Sequence, residues 1–194
     1  MRRNRTTTML TVLAMAAFSG AMLRAVTSDG QDAGPEQKKM RVERGAYLVT
    51  MMGCNDCHTP WKMGAQGPEP DMTRALTGHP QDMVLPPPPA ASGPWIWHGA
   101  ATNTAFAGPW GVSFTANLTP DADTGLGKWT EAMFIATMRT ARHQGKGRPI
   151  LPPMPVKMIG KASDEDLKSI FAYLQSLAPV RNRVPAPIDP PEPK

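Results

Sequence analysis

Cys54-Asn55-Asp56-Cys57-His58 is the stretch on which the reading of this chain turns. Two thiols three residues apart, followed at once by a histidine, form the attachment signature of c-type haem. Each thiol can add to one porphyrin vinyl group as a thioether, and the step between Cys54 and Cys57 matches the separation of the two vinyls. His58 then lies beneath the iron as its proximal base. Three other readings compete. A redox dithiol belongs in a strand–helix–strand context, and no such alternation surrounds these residues. A zinc knuckle needs a second ligand pair, but the chain has only two cysteines. A disulfide across so short a step would contribute little.

Outward from the motif, Val42, Tyr47, Leu48, Met51 and Met52 recur at helical spacing, which predicts a helix from Glu36 to about Met52 with Gly53 as its stop. Residues 59 to 128 are rich in Pro and Gly and include Pro86 to Pro89, so they read as one long loop without regular structure. Trp95-Ile96-Trp97 and Phe106 to Phe114 are its apolar patches and predict that it packs down. A second helix is expected to begin at Thr130 as N-cap and to end near Arg142-His143. The last helix carries the clearest signal: Ser163 with Asp166 reads as a capping-box start, Leu167, Ile170, Phe171, Leu174 and Leu177 form one stripe, and Pro179 ends it.

The iron needs a sixth ligand. His79, His98, His143 and fourteen methionines are candidates in principle. In a small haem domain the distal ligand comes from the loop entering the last helix, here Leu151-Pro152-Pro153-Met154-Pro155. Prolines on both sides of Met154 lower the entropy cost of presenting its sulfur. Met158 is the nearest rival, and Met51, Met52, Met133 and Met138 read as ordinary packing residues. His98 stands between Trp97 and Gly99, where it could touch a haem edge or cap a turn.

The remaining composition bounds the function. With 22 Pro and 17 Gly in 194 residues, an all-helical bundle, a coiled coil or a long parallel-sheet enzyme is excluded. The formal charge of +5 hints at nucleic acid. However, Arg2, Arg3 and Arg5, the apolar run from Met9 and the small residues Ser19-Gly20-Ala21 have the order of an export signal. Residues 1–21 are therefore expected to be a signal peptide or an N-terminal anchor. Cleavage after Ala21 takes Lys+Arg from 21 to 18 against 16 acids, a net charge of about +2, and the nucleic-acid reading loses its support. Residues 22–36 read as a linker, 37–179 as a monohaem domain and 180–194 as a Pro-rich extended tail.

Several motifs recur in one order: Arg44-Gly45-Ala46-Tyr47-Leu48, Cys54 to Thr59, Ala116-Asn117-Leu118-Thr119-Pro120-Asp121, Thr124-Gly125-Leu126-Gly127-Lys128-Trp129, Pro153-Met154-Pro155 and Ser163 to Leu167. From about Val42 to Val184 the chain resembles bacterial class I c-type cytochromes. Within them it is similar to the haem domains of membrane-associated alcohol, aldehyde and gluconate dehydrogenase cytochrome subunits. The resemblance implies an all-α fold of about three core helices, thioether bonds at Cys54 and Cys57, His58 as proximal ligand, Met154 as distal ligand, and residues 117–121 near the haem. It departs from those multi-haem subunits in having a single CxxCH. Val156 and Ile159 also stand where relatives often carry aromatics after the Met-Pro pair.

The expected function is that of a periplasmic electron carrier and not an enzyme. It would hold one covalent haem c and pass single electrons from a dehydrogenase or other donor to an oxidase or other cytochrome. No nucleic-acid partner is expected, and any membrane association would be peripheral or through the N-terminus. The alternative is a haem enzyme or sensor subunit with an open distal site for peroxide or small gases.

Overall fold

The computed structural model describes residues 34–89 and 93–192. The export-signal reading of 1–21 and most of the 22–36 linker lie outside the described residues. In chain order the elements are α1 (Pro35–Met51), α2 (Cys54–His58), β1 (Trp61–Gly64), β2 (Gly67–Pro70), β3 (His98–Gly99), β4 (Ala105–Gly108), β5 (Gly111–Phe114), α3 (Glu131–Thr140), α4 (Val156–Ile159) and α5 (Asp164–Ser176). Among the described residues no helix is long and apolar enough to cross a membrane.

Helices α1 and α5 form the frame, and Gly45 is where they meet. A methyl group there would run into the Ser169 carbonyl and Tyr173 Cβ, so only glycine lets the backbones approach this closely. Arg44 pairs with Asp166 at 2.9 Å beside the crossing. The stripe of α5 supplies Leu167, Ile170, Phe171 and Leu174 to a core completed by Leu48 and Val49 of α1, Phe134 of α3 and Ile159 of α4. Phe134 and Phe171 lie 5.4 Å apart between ring centres. Both expected N-caps are present: Thr130 accepts from Met133 N, and Ser163 accepts from Asp166 N. The helix from Thr130 ends at Thr140, earlier than expected, because Ala141 turns left-handed at φ 55°.

The all-α expectation is overturned. Within residues 59–128 the chain forms two antiparallel sheets, a β1–β2 hairpin and a three-stranded β3–β4–β5 sheet. The hairpins close over two-residue turns, with Gly64 opposite Gly67 and Gly108 opposite Gly111. Glycine is needed at Gly111, which takes φ 89° and lies against the backbone of Ile188 and Asp189. The same segment was expected to be one structureless loop. Strands of only two to four residues are too short to show an alternating pattern in sequence.

Among the described residues the chain after α5 forms no helix and lies along this wrap. Ile188 bridges Val112 of β5 through two backbone hydrogen bonds of 2.8 and 2.9 Å. Asn182 is buried. Its amide nitrogen donates to the carbonyls of Thr77 and His79, and its side-chain oxygen accepts from Gln81 N.

Candidate haem-attachment site

The short helix α2 carries Cys54, Cys57 and His58 one turn from the end of α1. Gly53 makes this possible by turning left-handed at φ 65° between the two helices. Both cysteines are free thiols and half-buried. Burial pushes the Cys54 thiol up to about 11 and raises Cys57 as well, so both sulfurs are neutral and suited to an apolar neighbour. Among the described residues no group of three or more His, Cys, Asp or Glu side chains could hold a metal ion, so the pair belongs to no zinc-type cluster.

His58 is buried, and its Nδ1 lies 2.8 Å from the carbonyl of Ala116. A carbonyl only accepts, so Nδ1 carries the proton and donates it, leaving the lone pair on Nε2. Burial lowers the His58 pKa, which keeps the ring neutral. A neutral imidazole with a braced Nδ1 and a free Nε2 is the form that ligates a metal. The donor set therefore fits haem c: two neutral thiols and one oriented imidazole on a single turn.

The backbone of α2 is gripped from several sides. Asp56 O accepts from Trp61 Nε1 at 3.0 Å and from Asn103 Nδ2 at 2.7 Å. His58 O accepts from Gly78 N at 2.8 Å. Thr59, fully buried, donates from its hydroxyl to Asn55 Oδ1 and accepts from Leu76 N. Leu76 itself takes φ 60°, an uncommon conformation for a bulky residue. It is held at both ends, since Leu118 N donates to its carbonyl.

Met154 is half-buried and packs against the same core as Cys54. It follows a cis Pro152–Pro153 bond, and Ser113 of β5 donates to Pro152 O at 2.6 Å. Met158, the rival, is 63% exposed on α4. The histidine candidates separate clearly. His79 is fully buried and both ring nitrogens are engaged, Nδ1 with the Thr104 hydroxyl and Nε2 with Met83 O. His143 is exposed and packs edge-on against Trp129 at 5.0 Å. His98 lies in β3 with a buried Nε2 that has no partner, beside an open hollow of about 410 Å³ that Trp95 and Trp97 also line.

Residues 117–121 brace the wrap. Asn117 Oδ1 accepts from the backbone and hydroxyl of Thr119, and Asn117 Nδ2 donates to Val180 O. Thr59 and Ala116 lie in motifs quoted above and Ser113 in none, and no sequence signal gives any of the three its bracing role. Ala116 contributes only a carbonyl, which any residue could supply.

The cytochrome c family profile matches residues 42–178, and the chain belongs to that family. Among curated proteins it is similar to the fructose dehydrogenase cytochrome subunit of Gluconobacter japonicus, 26% identical over 97% of this chain and 29% of that protein. It also matches the gluconate 2-dehydrogenase cytochrome c subunit of Pantoea cypripedii, 33% identical over 43% of this chain and 20% of that protein. The quinone-type alcohol dehydrogenase cytochrome c subunit of Gluconobacter oxydans is 24% identical over 75% of this chain and 23% of that protein. The chain thus spans less than a third of each of these relatives. They bear out the likeness to dehydrogenase cytochrome subunits that the motifs imply.

Proposed function

We propose that this cytochrome c is an exported monohaem carrier that takes single electrons from a dehydrogenase and delivers them to a respiratory acceptor. Cys54 and Cys57 would hold the porphyrin covalently, and His58 Nε2 and Met154 would ligate its iron. When bound, haem c would supply a one-electron ferric/ferrous couple, and methionine ligation together with a dry surrounding would favour the reduced form. The chain's own part is positional: Ala116 O orients the imidazole, the prolines around Met154 limit where its sulfur can go, and the wrap excludes water.

The observation that carries this reading is the His58 Nδ1–Ala116 O bond, which leaves Nε2 available on the turn that bears both thiols. The dehydrogenase cytochrome subunits among the relatives favour a dehydrogenase as donor. The test is the optical spectrum of the protein matured with haem. Low-spin ferric haem with a sulfur-to-iron charge-transfer band, lost in Met154→Ala and kept in Met158→Ala, is expected. A high-spin ferric spectrum, or rapid CO binding by the ferrous protein, would overturn it in favour of an open distal site. Cell fractionation tests export to the periplasm, and a carbonate wash tests any peripheral attachment to the membrane.

A further inference from the structure

The family profile ends at residue 178, and the chain beyond it returns to the site. Asn182 is 4% exposed and engages both ends of its amide. Nδ2 donates to Thr77 O at 2.7 Å and to His79 O at 2.9 Å, while Oδ1 accepts from Gln81 N at 2.9 Å. Asn182 is itself fixed. Its backbone N donates to the Thr124 hydroxyl at 3.0 Å, and Arg183 N donates to Gln81 Oε1 at 2.9 Å.

The backbone that Asn182 holds is the backbone that holds His58. Thr77 O and Gly78 N belong to one planar peptide unit, and Gly78 N donates to His58 O at 2.8 Å. A hydrogen bond accepted at the Thr77 carbonyl therefore aims and polarises the N–H that grips His58. His79 N donates to Thr115 O at 3.0 Å, one residue before Ala116, whose carbonyl accepts from His58 Nδ1. Gly78 packs directly on that strand end: a methyl group there would come within 2.6 Å of Ala116 O. Asn182 thus reaches His58 by two short routes, one to its backbone through Gly78 and one to its ring through His79, Thr115 and Ala116.

We infer that Asn182 is a positioning residue for the His58 imidazole, so that a side chain outside the family profile sets the donor strength of that ring. The inference rests on the carrier reading above. An imidazole with a firmly held Nδ1–H is a stronger base at Nε2, and a stronger base favours ferric iron. When Asn182 is removed, residues 77–79 are released, the His58–Ala116 bond loosens, the ring donates less and the potential rises. Water entering a merely loosened wrap would do the opposite, because it stabilises the more highly charged ferric form. The sign of the change separates positioning from loss of packing.

The test compares the haem-loaded full chain with Asn182→Ala and with Ile188→Pro. The second variant removes the Ile188 N–Val112 O bond of the same tail and leaves Asn182 in place. The readouts are the midpoint potential and the His58 Nδ1–H proton in the NMR spectrum of the low-spin ferrous protein. In Asn182→Ala the ferrous-to-ferric ratio at a fixed potential should rise at least about threefold, which is about 28 mV at 59 mV per tenfold for one electron. The Nδ1–H should exchange with solvent at least about tenfold faster. Ile188→Pro should hold the ratio within about 1.2-fold of wild type. Should Asn182→Ala yield no holoprotein, Asn182→Ser, which keeps a single hydroxyl donor, is measured in its place. It should shift both readouts the same way and by more than Ile188→Pro does. An unchanged or lower potential in the Asn182 variant, or an equal rise in Ile188→Pro, would overturn the positioning role and leave the carrier reading intact. High-spin ferric haem in the wild-type protein would overturn both.

Discussion

The α1–α5 crossing and the wrap between α2 and α3 are held by different physics. At the crossing, apolar side chains interdigitate over a glycine, and the stabilisation is spread over Leu48, Val49, Leu167, Ile170 and Leu174. In the wrap, strands of two to four residues contribute little, and the shape depends on single side chains that satisfy buried backbone groups: Thr59, Asn117 and Asn182. A frame of the first kind loses stability in proportion to the apolar volume removed. A wrap of the second kind fails where one bond is cut, because the stranded donor or acceptor has no water to turn to.

The contrast can be broken or sharpened in order of effect. Leu167→Ala, at a fully buried α5 position, should cost about 3–5 kcal/mol in urea unfolding of the holoprotein. A loss under about 1 kcal/mol would deny the crossing its role as frame. Asn182→Ala strands the Thr77 and His79 carbonyls and Gln81 N, and should cost about 2–3 kcal/mol. Hydrogen exchange should then rise in residues 76–81 while α5 stays protected, and a loss of protection shared with α5 would erase the distinction between the two regions.

Thr59→Val keeps the shape and removes both bonds of the hydroxyl, for about 1–2 kcal/mol. The measurement is the unfolding midpoint, with an unchanged value counting against the wrap's dependence on single bonds. The smallest effect is one of pH. Burial lowers the His79 pKa in the folded protein, so the unfolded chain binds the extra proton first as pH falls below about 6.5. The stability that His79 contributes is therefore complete above that pH and is lost as pH falls, by at most about 1.4 kcal/mol per unit. In His79→Gln the stability–pH curve between 7 and 5 should be flatter than in wild type, and parallel curves would exclude His79 as the source.

The same division decides what could be read from sequence. The helices were legible because their signals are local and periodic: Ser163 before three acids, the Leu167–Leu174 stripe, Thr130 before α3. The family was legible because the chemistry of the Cys54–His58 motif demands its spacing. The sheets were not, because Ala65-Gln66 and Pro109-Trp110 are not the Asn-Gly turns that announce a hairpin. The braces of the candidate site were hidden for a different reason. Ala116 and Pro152 stand in motifs the sequence offers but act through backbone carbonyls, and Ser113 acts on a residue 39 positions away, so no side chain marks the bracing role.

One of those braces has a mechanical meaning. Ser113 holds the carbonyl of Pro152, two residues before Met154, and Ala116 holds the imidazole of His58. Three residues of chain can reach no more than about 10 Å. The His58 imidazole and the loop that bears Met154 are thus tied to opposite ends of one short stretch of chain, which acts as a calliper that fixes the opening between them. With its jaws held at that opening, neither side could move without breaking a hydrogen bond to the wrap.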